Sequence, residues 1–210
     1  MSYRDFLSLC SRQGGIVTTA QARRIGLSTD QILSLSRRGD LRRLRRGVYV
    51  HEAAPFDYLE DVKAAWLSLY PHMTMSERLA GPELGVLRAE SAAEHLEIGD
   101  LVVHKHSFFV PAGKKSRACD IETRTSPLTT DDITIVKGLP VTTPTRTIVD
   151  LLEEPYEPEH VGAAVWDARD RGLELDVETI RRALTRYASG YLSAEAAEYF
   201  ILTRRPPGIA

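Results

Sequence analysis

Residues 37–50 read RRGDLRRLRRGVYV and place six arginines within their first ten positions. Residues 41–44 and 48–50 are predicted as two strands, with Arg45-Arg46-Gly47 in the turn between them. The segment therefore predicts a β-hairpin that is rich in arginine. Because a planar guanidinium can bind phosphate through two hydrogen bonds or enter a minor groove, such a hairpin indicates a nucleic-acid surface.

Three short helices are predicted before this hairpin, and their apolar residues recur at helical spacing. The first covers residues 2–11. The second covers residues 20–25, with Thr18 or Thr19 as its cap and Gly26 as its end. Each of these helices is short, so each needs the others to bury its apolar side.

The third predicted helix begins after Ser28 and runs to about Arg38. Gln31 stands three positions after Ser28, which is the spacing of a capping box. The turn Gly26-Leu27-Ser28 joins the second and third helices, and two helices joined in this way form a helix-turn-helix. With the hairpin as a wing, residues 1–52 are predicted to form a winged helix-turn-helix DNA-binding domain.

Polar residues of the third helix lie away from its apolar face. Ile32 and Leu35 are predicted to face the core, and Leu33 borders that face. The polar side chains elsewhere on the helix are types that hydrogen-bond base edges or phosphates. For Gln31, the capping box is a competing role. We therefore predict nine DNA-binding residues: Thr29, Gln31, Ser34, Arg37, Arg38, Arg42, Arg43, Arg45 and Arg46.

Charge is distributed unevenly along the 210 residues, whose net charge is −2. Residues 1–52 contain ten Arg/Lys and four Asp/Glu, whereas the other 158 contain seventeen and twenty-five. Charge runs are often plain solvated faces, and helix-turn-helix pairs also mediate protein contacts. The arginine cluster, the helix pair, the polar third helix and the hairpin occur together here, and this combination favours DNA binding.

The rest of the chain is predicted as a linker, residues 53–57, followed by an α+β domain, residues 58–210. Asp57 is predicted to cap a helix that buries Trp66. The other predicted helices cover residues 76–87, 91–96, 159–171, 177–188 and 194–203, and a further helix begins at Pro144 after a cap at Thr143. The predicted strands cover residues 101–109, 119–124 and 133–136, and Val141 begins a last one after the turn 137–140.

Two pairs of residues on these strands have side chains that bind metal ions. His104 and His106 would face one side of a strand, but no third ligand follows at a recognisable spacing. Asp120 and Glu122 would do the same, as in nucleases that hold Mg²⁺ with an Asp…Glu-x-Lys pattern. Arg124 stands where that lysine would be, so a cross-strand ion pair is the simpler interpretation. We predict no metal site, no cofactor and no catalysis.

A second arginine cluster occurs in the predicted helix 177–188. Arg181, Arg182 and Arg186 share one side of that helix. They form either a second surface for anions or a plain exposed helix face, and the exposed face is the simpler interpretation.

Several segments resemble one known family. The stretch from Gly14 to Val50, with GGIVTTAQAR at its start and RGVYV at its end, resembles the winged-helix head of AbiEi-type antitoxins. Residues 138–150, GLPVTTPTRTIVD, resemble a recurring segment of their second domain, and residues 91–96 are a weaker match to a helix between the two. The resemblance implies a head that represses a toxin–antitoxin operon by binding double-stranded operator DNA with inverted repeats.

The same resemblance implies that the second domain counteracts a nucleotidyltransferase-like toxin, without fixing whether the two proteins touch. The DNA role carries over to the third helix and the arginine hairpin, whereas no toxin-countering residue carries over. Two other interpretations stay open. One is a metal-dependent nucleic-acid-processing enzyme that uses Asp120 and Glu122, and the other is a plain winged-helix regulator with an effector-sensing domain.

The compartment is predicted to be the cytoplasm. No apolar run is long enough to cross a bilayer, and the N-terminus lacks the apolar segment of a signal peptide. Cys10 and Cys119 stand far apart and fit reduced thiols better than a disulfide framework. We therefore predict no membrane partner.

Overall fold

The computed structural model describes residues 3–81, 84–187 and 194–203. The chain divides into two compact units, Met1–Gly85 and Val86–Ala210, which we call the head unit and the second unit. Helices and strands both contribute to the fold, and the predicted α+β class is confirmed.

The head unit begins with a winged helix-turn-helix. Its elements, in chain order, are α1 (Tyr3–Ser11), β1 (Ile16–Thr18), α2 (Thr19–Arg24), α3 (Thr29–Arg37), β2 (Leu41–Arg45) and β3 (Val48–His51). The three strands form an antiparallel sheet in the order β1-β3-β2. The predicted bounds are close to these, except that Arg45 lies in β2 and only Arg46 and Gly47 form the turn. Ser2, the predicted start of the first helix, lies outside the described residues.

Two capping boxes set the starts of α2 and α3. The Thr18 hydroxyl accepts a hydrogen bond from the Gln21 amide at 3.0 Å, and the Gln21 side chain accepts one from the Thr18 amide at 3.0 Å. Ser28 and Gln31 repeat the arrangement at 3.1 and 2.8 Å, as predicted. Gly26, with φ of +93°, ends the preceding helix because a residue without Cβ adopts that angle at little cost.

Apolar side chains from the three helices and the sheet form the core of the head unit. Each fully buried Leu, Ile or Phe stabilises the fold by roughly 1.5–3 kcal/mol. Burial of Ile32 and Leu35 fixes the rotation of α3, so its opposite side faces outward. The buried members of this core are Phe6, Leu9, Cys10, Val17, Ala22, Ile32, Leu35, Leu41 and Tyr49.

Two more helices, α4 (Glu60–Leu69) and α5 (Met75–Leu79), belong to the head unit. Helix α4 contacts all three strands of the sheet. Trp66 is fully buried, as predicted, and its indole Nε1 donates to the carbonyl oxygens of Leu84 and Gly85 at 2.7 and 2.6 Å. The guanidinium of Arg78 stacks on the same indole, with its Cζ 3.6 Å from the ring centroid.

Polar contacts join the segment after α4 to the helix-turn-helix. The Thr18 hydroxyl donates to the carbonyl of Pro71, and the Gln21 side chain donates to the carbonyl of Met73 at 2.6 Å. The Met75 amide donates to Gln13 Oε1 at 2.9 Å. Because these bonds and the packing of α4 tie residues 58–85 to the sheet, the unit boundary lies at Gly85 and not within the predicted linker 53–57.

The predicted linker itself packs against the head. Gly15 has φ of +85°, and a Cβ at this position would lie 2.3 Å from Ala54 Cβ. Only glycine avoids that collision. The predicted helix 76–87 is too long, because α5 ends at Leu79, shortly before Gly81, and Val86–Leu87 is a strand. Residues 82 and 83 lie outside the described residues.

The second unit contains a five-stranded mixed sheet in the order β6-β5-β4-β8-β7. The pairs β4/β8 and β5/β6 are parallel, and the pairs β4/β5 and β7/β8 are antiparallel. The strands are β4 (Val86–Leu87), β5 (His106–Phe109), β6 (Ile121–Arg124), β7 (Ile133–Val136) and β8 (Leu139–Thr142). The predicted strands 101–109 and 119–124 start too early, and the predicted turn 137–140 is confined to Lys137 and Gly138.

Helices surround this sheet and bury a shared apolar core, which includes Ile148, Leu151, Val161, Val165 and Ile180. Thr143 and Pro144 begin a helix as predicted, although the Thr143 side chain forms no capping bond. The end of the predicted helix 177–188 at Ala188 lies outside the described residues. The helices are α6 (Ala89–Leu96), α7 (Pro144–Leu152), α8 (Pro158–Asp170), α9 (Val177–Tyr187) and α10 (Ala194–Glu198), followed by a π-helical turn (Tyr199–Thr203).

Candidate nucleic-acid interface

The side of α3 opposite Ile32 and Leu35 carries two rows of exposed side chains. Residues four apart on a helix lie one turn apart on the same side. The prediction included Thr29, Ser34, Arg37 and Arg38 but omitted two neighbours on this side. The rows are Thr29, Leu33 and Arg37, and beside them Asp30, Ser34 and Arg38.

Gln31 has a restricted part in any base contact. Its Oε1 accepts the Ser28 amide at 2.8 Å, which holds the side chain against the start of α3 and occupies one of the two lone pairs of this oxygen. Bidentate pairing with adenine needs both the oxygen and the nitrogen of a Gln side chain. Gln31 therefore serves the start of α3 first, and a bidentate base contact would have to share its oxygen with the capping box.

The two arginines at the end of α3 differ in their partners. Arg38 Nη2 lies 3.0 Å from Asp40 Oδ2, and both side chains are exposed. Exposed ion pairs contribute little, so phosphate can compete with Asp40 for this guanidinium. Arg37 is exposed, and no ion pair to it occurs among the described residues. Arg37 is thus the most available cation of α3.

A β-bulge determines where the hairpin arginines lie. Arg42 pairs with Val50 and Arg45 with Val48, with the register shifting between Arg43 and Arg45. Val48 and Val50 lie on one face of the sheet, so the bulge brings Arg42 and Arg45 to that face although they are three residues apart. Arg43, which pairs with Tyr49, lies on the opposite face, beside α3.

Two acidic residues in the first turn of α4 bind Arg42 and Arg45, the two arginines that share a face. Arg42 Nη1 donates to Glu60 Oε1 at 3.0 Å, and its Nη2 donates to Glu60 Oε2 at 2.8 Å. The hydrogen bonds to Glu60 raise the pKa of Arg42. Arg45 Nη2 lies 3.6 Å from Asp61 Oδ1, and its side chain is only 12% exposed. Both guanidinium groups are therefore already engaged within the head unit.

Arg43 and Arg46 are available to an external anion. Both are exposed, and neither forms an ion pair within residues 3–81, 84–187 and 194–203. Arg43 Nε makes one bond, to the carbonyl of Arg45 at 3.3 Å. With Arg37 and Arg38, these side chains form a candidate DNA surface of four arginines, which we call the arginine surface.

Acidic residues of α4 and α5 reduce the positive charge elsewhere in the head. Residues 1–85 contain twelve Arg/Lys and nine Asp/Glu, a net of +3 against +6 for residues 1–52. Glu77 pairs with Arg24 at 2.7 Å, and this contact lowers the pKa of Glu77 to about 2. Glu60, Asp61 and Glu77 thus neutralise three arginines away from α3, and the positive charge that remains lies on the arginine surface and on the exposed Arg4, Arg12 and Arg23.

The residues considered for a metal site are not arranged to form one. His104 and Asp120 precede their strands. The predictions that His104 shares a strand face with His106, and Asp120 with Glu122, are therefore wrong. For Glu122 the predicted cross-strand pair is wrong, because this residue pairs with Arg124 of the same strand at 3.1 Å. Among the described residues, no group of three His, Cys, Asp or Glu could hold a metal ion.

The second unit contains a charged cluster that the sequence did not reveal. Arg88 is 1% exposed and lies 2.6 Å from Glu154, and Arg146 Nε lies 2.9 Å from Asp150 Oδ1. Both guanidinium groups lie near the ring of Phe109, at 4.9 and 5.1 Å from its centroid. Burial raises the pKa of Asp150 to about 6, despite the opposing effect of Arg146.

The second arginine cluster of the sequence lies in α9, and its three arginines have different partners. Arg181 Nε lies 2.8 Å from Glu198 Oε1, and Arg182 Nη2 donates to Thr179 at 2.8 Å. Arg186 lines a groove of about 910 Å³ that also contains Arg146 and several carboxylates. Because the groove carries both basic and acidic side chains, its charge does not favour an anionic ligand.

A helix-turn-helix followed by a two-stranded wing defines the head as a winged helix-turn-helix domain, a class that binds nucleic acid. Residues 6–50, from within α1 to within β3, match the model of the family described as "Transcriptional regulator, AbiEi antitoxin". The resemblance stated from the sequence is confirmed over this segment, and the match supports DNA-binding regulation as the general role of the head.

Among solved structures, the crystal structure of the RV2827C protein from Mycobacterium tuberculosis is similar, with a TM-score of 0.55 and 18% sequence identity. The similarity covers 94% of this chain and 82% of that one, and it shows a shared fold. No curated protein matches the chain. Within the described residues, every helix is too short or too polar to cross a membrane.

Proposed function

We propose that this chain is a cytoplasmic DNA-binding antitoxin that represses its own operon and counteracts a nucleotidyltransferase-like toxin. The observation that carries the proposal is the arginine surface, which joins the outward side of α3 to the hairpin within the segment that matches the antitoxin family. Its four guanidinium groups lie on the two elements with which winged helices contact a duplex.

The two elements have different parts in this proposal. Helix α3 enters the major groove, where Ser34 and Arg37 reach base edges, and Arg37 can pair with guanine through two hydrogen bonds. Arg43 and Arg46 of the hairpin bind the adjacent phosphates or enter the minor groove. Phosphate contacts set the position of the head, and base contacts provide the sequence preference.

The operator is proposed to be a duplex with inverted repeats. One head reads one half-site, and two copies bind half-sites whose centres are separated by whole helical turns, about 34–36 Å each. A mobility-shift titration of the full chain on DNA from upstream of its own reading frame tests this step. We expect two bound species, and loss of the second when one repeat is scrambled.

The second unit is proposed to counteract the toxin. It contains fifteen Arg/Lys and twenty Asp/Glu, and the family-like segment 138–150 forms β8 and most of α7. The test is co-expression of the full chain with the neighbouring nucleotidyltransferase-like protein in growing cells. Restored growth supports the antitoxin, whereas operator repression without protection would favour a plain regulator. Nuclease activity that Asp120→Ala or Glu122→Ala abolishes would overturn the proposal.

A further inference from the structure

Leu33 is an apolar residue on the outward side of α3. It is 38% exposed, while the other large apolar residues of this helix, Ile32 and Leu35, are buried. Leu33 is neither a buried member of the head core nor one of the partly buried residues packed against it, which are Ile25 and Leu27. Its side chain is therefore more open to solvent than those of Ile32 and Leu35, and it lies outside the head core.

The neighbours of Leu33 in its own row are polar groups suited to DNA. Thr29 precedes it by one helical turn and Arg37 follows it by one turn, and all three are exposed in one row. When Thr29 and Arg37 bind DNA, Leu33 between them is held against the groove floor. An exposed leucine in this position loses its contact with water on binding, and it needs an apolar group as its partner.

The major groove offers one such group, the C5 methyl of thymine. We infer that Leu33 reads a thymine methyl in the operator, and this inference rests on the proposed function of the head. One turn of helix spans about 5.4 Å and one base pair about 3.4 Å, so the thymine lies one or two base pairs from the guanine that Arg37 reads.

The test uses duplexes that the full chain selects from a random library, followed by replacement of each thymine in turn by deoxyuridine. Uracil pairs with adenine as thymine does and lacks only the methyl group. We expect one thymine per half-site at which the replacement weakens binding about fourfold, the ratio for one buried methyl group. The equilibrium constants are measured by fluorescence anisotropy at one fixed salt concentration.

Two variants of the full chain complete the experiment. Leu33→Ala should bind the thymine and uracil duplexes equally at that position. Leu7→Ala, which shortens a leucine of α1 with 37% exposure, should keep the fourfold difference of the unmodified chain. Circular dichroism checks that both variants are folded, and alanine at an exposed helical position favours the helix.

The outcomes separate the inference from the function on which it rests. If the chain selects a duplex but no thymine replacement weakens binding, Leu33 does not read a methyl group, whatever the variants do. An equal fourfold loss in Leu33→Ala would assign the methyl contact to another residue. If the full chain prefers no duplex over random DNA, the proposed function fails and the inference fails with it.

Discussion

Arg42 and Glu60 face each other as two parallel forks, with Nη1–Oε1 at 3.0 Å and Nη2–Oε2 at 2.8 Å. The pair joins the hairpin to the first turn of α4. A guanidinium that is bound to a carboxylate in this way is a weaker partner for phosphate, because its charge is neutralised and two of its five N–H groups are already used. The arginines of the hairpin are therefore unequal in spite of their uniform appearance in the sequence.

Replacement of Glu60 by glutamine should strengthen DNA binding. The neutral amide releases Arg42, and if its guanidinium then reaches a phosphate, the log–log salt dependence steepens by about 0.9. A mobility-shift series at several salt concentrations measures this slope. Glu159→Gln, an exposed position in the second unit, changes the net charge equally and should leave the slope unchanged. The same steepening in both variants would show that net charge and not the local pair matters, and an unchanged slope in both would leave Arg42 outside the DNA contact.

Two matched double variants should separate the available arginines from those held by α4. Arg43→Ala with Arg46→Ala should weaken binding to all sequences and flatten the salt slope by about 2. Arg42→Ala with Arg45→Ala removes the same charge but should flatten the slope much less, because Glu60 and Asp61 already hold these groups. A larger change in slope for Arg42→Ala with Arg45→Ala than for Arg43→Ala with Arg46→Ala would mean that the ion pairs open when DNA binds.

Residues 1–85 should fold alone, and residues 1–57 should not. Without α4, the sheet face that carries Ile16, Val48 and Val50 would be open to water, and each of these side chains is at least 95% buried. At about 2 kcal/mol each, their exposure costs an amount comparable with the 5–15 kcal/mol stability of a typical domain. Thermal denaturation followed by circular dichroism should show a cooperative transition only for 1–85. A cooperative transition in 1–57 would contradict the unit boundary at Gly85.

Asp150 should make the second unit less stable as the pH rises from about 4 to about 6. Its pKa is raised from 3.8 to about 6 by burial, so the folded state binds a proton in this interval that the unfolded state has released. The free energy of unfolding therefore decreases with pH across this window, and Asp150→Asn removes the dependence. The carboxyl carbon shift in NMR reports the titration directly. A midpoint near 4 would show that Arg146 outweighs the effect of burial.

The sequence predicted the winged helix-turn-helix well because its signals are local. The Ser28–Gln31 capping box lies within four residues. Gly26 and Gly47 mark turns that require positive φ angles, which glycine adopts easily. The strands of the hairpin were placed to within one residue for the same reason. The boundary of the head was missed because it depends on contacts such as Gln21 with Met73, which are 52 residues apart.

The candidate site was predicted only in outline. Residue types indicated that arginines of α3 and the hairpin contact DNA, and the structure keeps Arg37, Arg38, Arg43 and Arg46 available for that role. The sequence could not show that α4 engages Arg42 and Arg45, because a bulge sets their face and the acids come from another element. A helical projection of α3 was sufficient to place Leu33 on the outward side, but it was predicted at the border of the core face because it is apolar.

The bulge at Leu44 makes the pairing register a means of adjusting surface charge without changing any arginine. If the bulge were straightened with every residue kept, Leu44 would pair with Val48 and Arg45 would move to the other sheet face, beside α3. Related chains can therefore carry the same arginine-rich hairpin and differ in their affinity for DNA. In such chains, the sheet face on which each arginine lies is a better guide to the available charge than the number of arginines.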